Sequence, residues 1–210
     1  MLSSVVKPQP PLSSTSSSLD GEPIMFCEAK ATVHIDPCLE ATLKQHIASI
    51  PNFPIPGIDF KDIAPLIAHK DGFALALDSL CNLLSLIEFD AVVAIESRGF
   101  IIGAPVAHQF RTGLILVRKP GKLPGEKDLF PYTCEYCSGE LEVQRGAIRS
   151  GARYLVLDDL LATGGTSRAT ADYIALNGGI VSGFCFLVEL SMLNGKALLV
   201  EAPVVSLLKY

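Results

Sequence analysis

The residues with the clearest chemical potential lie together in Tyr154-Leu155-Val156-Leu157-Asp158-Asp159-Leu160-Leu161-Ala162-Thr163-Gly164-Gly165-Thr166. An apolar run delivers two adjacent carboxylates, and a loop with paired glycines between two threonines follows them. Backbone N–H groups in such a loop can turn toward one phosphate, because glycine tolerates close approach and unusual dihedrals, and the N-terminus of a following helix favours an anion. The hydroxyls of Thr163 and Thr166 add donors. Asp158 and Asp159 fall about one ribose-length from that phosphate, where carboxylates accept hydrogen bonds from sugar hydroxyls. The loop lacks the GK[ST] ending of a Walker loop and the GxGxxG of a dinucleotide site. The competing reading is a strand, a Gly-rich turn and a capped helix with no ligand, but that leaves two acids at a strand end without a reason.

Elsewhere the composition narrows the options. The chain has 210 residues and a net charge of −5, so bulk charge draws it neither to nucleic acid nor to an anionic membrane. Any phosphate must be held by local devices. No apolar stretch reaches the length of a membrane span. Of the six cysteines, Cys81 and Cys185 lie in apolar runs and suit buried thiols. Cys134 and Cys137 form a CxxC with no second ligand pair, so two reduced cysteines are preferred there over a zinc or redox site. This cysteine usage fits a reducing, cytoplasmic setting.

Short apolar strands and helices must position these groups. Residues 1–35 are expected to form a disordered extension, Ser- and Pro-rich up to about Asp20. That start faintly resembles an organelle transit peptide but has no Arg and only Lys7. The domain proper is expected over 36–210. A helix is expected from Asp36, as its cap, to just before Pro51, with Leu39, Leu43, Ile47 and Ile50 on one face. The rigid stretch 53–57 follows, then a helix over 71–87. Strands are expected at 91–95, 114–117, 154–157, 184–190 and 203–208, with helices at 100–110 (kinked or shortened by Pro105) and 167–176, the latter closed by Gly178 and Gly179. The charged, Pro/Gly-rich stretch from Arg118 to about Leu141 is too long for an ordinary connection. This alternation predicts an α/β fold with a doubly wound, mainly parallel sheet and a ligand at the carboxyl ends of its strands.

The acidic pair followed by ATGGT resembles the 5-phosphoribosyl-1-pyrophosphate (PRPP) signature of type I phosphoribosyltransferases, and DDLLATGGT resembles that of the adenine phosphoribosyltransferase family in particular. Further segments are similar to that family: FPIPGIDFKDI at 53–63, Glu96–Phe100, RKPGKLPG at 118–125, Glu135-Tyr136, Leu187–Leu190 and Ser206–Tyr210. The likeness covers roughly 36–210. It implies the type I fold with a flexible lid and an N-terminal helical hood. It also implies transfer of a phosphoribosyl group from PRPP to adenine N9, giving AMP and pyrophosphate, with Mg²⁺ carried mainly by PRPP rather than by protein ligands. On this basis Asp158, Asp159, Ala162, Thr163, Gly164, Gly165 and Thr166 bind the ribose and its 5-phosphate. Arg98 contacts the diphosphate from a loop whose strained backbone Gly99 would ease, and Arg118, Lys119, Lys122 and Tyr136 close over it. Glu135 is either the acid beside the purine or a lid carboxylate that holds a ribose hydroxyl or Mg²⁺. Phe60 either stacks on adenine, with Lys61 beside it, or packs in the core. The family is typically homodimeric.

Three departures from the family pattern stand out. Cys137 occupies a usual Gly position, Lys61 stands where Arg is frequent, and the connection between Ile87 and Asp90 is short. A phosphoribosyltransferase for another purine base and a non-catalytic PRPP-sensing regulator are the alternative readings. The regulator is disfavoured because Arg98, the basic lid, Glu135 and both aspartates are all present.

Overall fold

The structure, a computed structural model, describes residues 36–53, 55–133 and 138–210. The expected N-terminal extension and the 134–137 tetrapeptide lie outside the described residues. At the centre is a five-stranded, wholly parallel sheet in the order β4-β3-β7-β8-β9, formed by β3 (Ala91–Ile95), β4 (Gly113–Val117), β7 (Arg153–Leu161), β8 (Ile180–Glu189) and β9 (Val204–Lys209). From β3 the chain crosses outward through α4 (Arg98–Gln109) to β4, then returns to add β7 on β3's other side. The β3/β7 boundary is thus the topological switch point, where parallel sheets leave a crevice at their carboxyl ends.

Alternation along the strands sorts side chains into two cores. One face buries Val92, Ala94, Leu155, Leu157, Cys185 and Leu187 against Leu43 of α1 (Pro37–Lys44), Leu66 of α2 (Ala64–Ala68), Leu80 and Leu84 of α3 (Lys70–Leu84), and Ile102 and Val106 of α4. The opposite face buries Val93, Ile95, Tyr154, Val156, Phe184 and Phe186 against Ile174 of α5 (Gly165–Leu176). Each fully buried large apolar side chain contributes about 1.5–3 kcal/mol. Burial on both faces explains why these strands are nearly continuous apolar runs. Where α4 crosses β3 the spacing is too small for a side chain: a Cβ on Gly103 would stand 2.8 Å from Ala94 Cβ.

Several elements differ from the sequence reading. The first helix keeps its Asp36 cap, with Cys38 N–H donating to Asp36 Oδ1 at 2.9 Å, but it ends at Lys44. Ala48–Pro51 forms strand β1, paired antiparallel with β2 (Asp59–Asp62). Pro51 biases Ile50 toward extended backbone, so Ile47 and Ile50 leave the helical face. The long stretch after Arg118 contains an antiparallel ribbon, β5 (Lys127–Thr133) with β6 (Ser138–Gln144). Phe130 of β5 stacks on Tyr173 of α5 with centroids 4.7 Å apart, and Tyr173 Oη donates to Asp128 Oδ2 at 2.9 Å. Finally, α5 begins at Gly165 rather than Ser167, and α4 runs through Pro105 from Arg98.

Candidate active site

The carboxyl ends of β3 and β7 open into a cleft of about 350 Å³ lined by Glu96, Ser97, Arg98, Lys119, Asp158, Asp159 and Leu160. β7 reaches four residues beyond its expected end and carries both aspartates on the strand itself. Asp159 is buried, and Arg98 Nε stands 2.7 Å from its Oδ2. That oxygen is buried and its partner is the Arg98 charge. Asp158 Oδ1 accepts from the Asp159 amide at 2.8 Å. Burial pushes the Asp158 carboxyl well above its ordinary pKa, and the neighbouring Asp159 charge adds to the shift, while Arg98 opposes it only in part.

Gly164 opens the phosphate turn at φ +83°, a conformation that favours glycine, and it precedes α5, which has no side-chain cap. The first-turn amides of α5 therefore face the end of β7 without competition from a capping side chain. Thr163, Gly165 and Thr166 are half-buried along this turn. Ala162 lies beneath a neighbour that sequence reasoning missed, because a Cβ on Gly195 would come within 2.2 Å of Ala162 O. Gly195 follows β8, and its only sequence signal is the Asn-Gly turn dipeptide.

On β3's side, the peptide between Glu96 and Ser97 is cis. The expected ease supplied by Gly99 takes another form. Gly99 lies in α4 without a positive φ, and its missing side chain lets the helix approach Asp158 Oδ1, which a Cβ would meet at 3.1 Å. Arg98 lies over the Phe60 ring at 5.1 Å, and Phe53 meets that ring edge-on at 5.2 Å. Phe60 is half-buried, belongs to neither core cluster and meets the cleft lining through Arg98. Lys61 points elsewhere: it pairs with Asp59 at 2.8 Å and sits 4.5 Å from the Tyr210 ring.

The basic cluster divides. Lys119 lines the cleft and is exposed. Arg118 donates to Glu96 Oε2 at 3.1 Å, and the Lys119 amide donates to the same oxygen at 2.9 Å. Burial favours the neutral form of Glu96, but the Lys119 amide and the Arg118 guanidinium outweigh it and lower the pKa. Lys122 is exposed beside them. Glu135 and Tyr136, with the Cys134/Cys137 pair, lie outside the described residues. Cys185 is fully buried and its thiol pKa is raised by burial, in keeping with an inert core cysteine, whereas Cys81 is only partly buried.

Among the described residues no three His, Cys, Asp or Glu side chains are placed to hold a metal ion. Glu96 and Asp159 already face cations. No helix among the described residues is long and apolar enough to cross a membrane.

A parallel sheet with an acidic pair and a glycine turn on one side of its switch point, and an arginine at the start of α4 on the other, is the arrangement of a type I phosphoribosyltransferase. No family model matches the chain. It is similar to adenine phosphoribosyltransferase 2 of Rhizobium etli, at 48% identity over 160 residues covering 76% of this chain and 87% of that protein. It is also similar to the adenine phosphoribosyltransferase of Chloroflexus aurantiacus, at 49% identity over 164 residues covering 78% of this chain and 95% of that one. Among crystal structures, the adenine phosphoribosyltransferase of Thermoanaerobacter pseudethanolicus superposes with a TM-score of 0.78 at 41% identity, covering 81% of this chain and 99% of that one. The Saccharomyces cerevisiae enzyme, complexed with an imino-altritol bisphosphate and adenine, gives 0.74 at 34% identity, covering 81% and 99%. The chain belongs to the adenine phosphoribosyltransferase family.

Proposed function

We propose that the protein transfers the 5-phosphoribosyl group of PRPP to N9 of adenine, releasing AMP and pyrophosphate. The observation that carries this reading is the pairing of the Gly164 phosphate turn and the Asp158/Asp159 edge of β7 with Arg98 across one switch-point cleft. These groups match the two anionic ends of one ribose. The 5-phosphate takes the amides that open α5. The carboxyls of Asp158 and Asp159 take ribose hydroxyls. Arg98 and Lys119 face the diphosphate.

The C1–O bond to the diphosphate breaks as the N9–C1 bond forms, adenine gives up its imidazole-ring N–H proton, and the ribose turns cationic as negative charge builds on the leaving group. Arg98 and Lys119 stabilise that developing negative charge from fixed positions. Mg²⁺ bound to the diphosphate supplies further positive charge there. Phe60 borders the purine side, where its face stacks on the base. Glu135 acts from the lid as the acid at the purine or as a carboxylate for the ribose or Mg²⁺, and Tyr136 covers the same region. Neutralising the acid with Glu135→Gln separates these roles, because an unchanged rate removes it from proton transfer. Closure over the cleft excludes water that would hydrolyse the activated ribose.

The test is a spectrophotometric assay with PRPP, Mg²⁺ and each purine base in turn. Turnover with adenine supports the reading. Turnover with hypoxanthine or guanine alone refutes the base assignment, and nucleotide binding without turnover favours a regulator. On the family likeness we also assign a homodimer and a cytoplasmic location, to be checked by light scattering and by imaging of the tagged full chain.

A further inference from the structure

Glu142 on β6 has no part in the chemistry above, yet it is a fully buried carboxylate with a full set of partners. Its Oε1 accepts from the amides of Lys122 at 2.7 Å and Leu123 at 2.5 Å, and its Oε2 accepts from the amide of Gly121 at 2.9 Å. Lys127 Nζ lies 3.4 Å from Oε2. The main chain of the same residue exchanges both hydrogen bonds with Arg118, at 2.9 and 2.7 Å. One residue thus holds both ends of the 118–123 turn. That turn is further closed by Arg118 Nη1, which donates to Lys122 O at 3.0 Å. It presents Lys119 to the cleft and brings the Lys119 amide to Glu96.

We infer that Glu142 is a positioning residue for diphosphate recognition, shaping residues 118–123 into the turn that aims Lys119 at the cleft. The inference rests on the reading of that cleft as a PRPP site. The turn's three successive amides converge on one point, and such convergence needs an anion. Here the chain supplies its own, from the strand that returns from the ribbon. A neutral amide at this position cannot accept from all three N–H groups at once, because its NH₂ end is a donor. In Glu142→Gln the turn must therefore open on one side. Burial tends to neutralise Glu142, but the amides of Leu123, Gly121 and Lys122, with Lys127, outweigh it and lower its pKa to about 2, so the clamp stays charged at any working pH.

The experiment compares ligands with and without the diphosphate on the full chain, by calorimetric titration with Mg²⁺–PRPP, Mg²⁺–pyrophosphate and AMP. For Glu142→Gln we expect the Kd for PRPP and for pyrophosphate to rise by about tenfold, with the Kd for AMP within about twofold of wild type. A residue that only stabilises the fold would weaken all three alike, and that result overturns the inference. So does wild-type affinity for PRPP. Adding Glu142→Gln to Lys119→Ala should produce no further loss, since one acts through the other; additive losses overturn it. If Glu142→Gln does not fold, Gly121→Ala bends the same turn, because Gly121 has φ +81° and open space around a Cβ. A folded Gly121→Ala with unchanged PRPP affinity would count against the clamp. Wild-type turnover tests the function separately, so a failed clamp and a misread activity give different results.

Discussion

Gly195→Ala tests whether the phosphate turn is braced from behind. A Cβ at this position would stand 2.2 Å from Ala162 O, 2.8 Å from Thr163 C and 2.9 Å from Gly164 N. All three are backbone atoms of the phosphate turn, so no side chain can swing aside. Ordinary contact begins at 3.4 Å, and relief of the worst overlap requires a shift of 3.4 − 2.2 = 1.2 Å. The approach is close from both directions, since a Cβ built on Gly164 would in turn stand 2.6 Å from Gly195 O. A displacement of about 1 Å in a group that positions substrate costs about 100-fold in rate. That equals about 2.7 kcal/mol of transition-state stabilisation. The assay is kcat/KM for PRPP at saturating adenine, with a melting curve to show that the chain is folded. The half-exposed Leu198 in the same segment, changed to Ala, serves as control and should stay near wild type. A folded Gly195→Ala within about threefold of wild type in kcat/KM would refute the bracing argument.

Other expected outcomes follow from the same geometry. Asp159→Asn removes the charge facing Arg98 and should lower kcat by at least about tenfold in steady-state assays. Phe60→Ala should raise KM for adenine by about tenfold, given stacking energies of about 1–3 kcal/mol per base, and leave KM for PRPP within about twofold. Because the Asp158 pKa is raised, its ionised form is less favourable in the folded chain than in the unfolded one, and stability falls as pH rises through the folded value. Asp158→Asn should therefore raise Tm at neutral pH while impairing turnover, as read by calorimetry beside the kinetic assay. Glu142 has the opposite sign: its pKa falls from 4.5 to about 2 on folding, so its stabilisation is complete above 4.5 and lost as pH falls through about 2. Acid unfolding of Glu142→Gln should lose that part of its pH dependence.

The sequence revealed the parts of the site that depend on local pattern. The strand at 91–95 matches β3 residue for residue, because a buried parallel strand is an unbroken apolar run. Asp158 to Thr166 revealed the order of strand end, glycine turn and helix start, since paired glycines there mark a turn that opens a helix. Gly178, expected to close α5, has φ +76°, the left-handed conformation that glycine supplies at helix ends. What stayed hidden depends on partners distant in sequence. Nothing near Gly195 announces that it touches Ala162, and Glu142 resembles any other acid in an alternating strand until residues 121–123 fold onto it. The β5–β6 ribbon was obscured by Pro and charged residues, which suit a two-stranded arm lying outside the main sheet but weaken a strand signal. Ile50 fitted a helical spacing that its strand pairing with Phe60 overrode, and Ile47 lies just ahead of that strand.

The placement of β7 against β3 has a consequence for how the chain becomes active. The two strands that form the cleft are separated in sequence by α4, β4 and the whole ribbon, so their pairing closes a large loop and is a late, slow event in folding. Arg98 and Asp159 stand near opposite ends of that loop, and affinity for a doubly anionic ribose should appear only when the central pair has zipped together. Ligand added during refolding would then capture finished molecules alone, and the rate at which binding capacity returns would measure the last step of assembly.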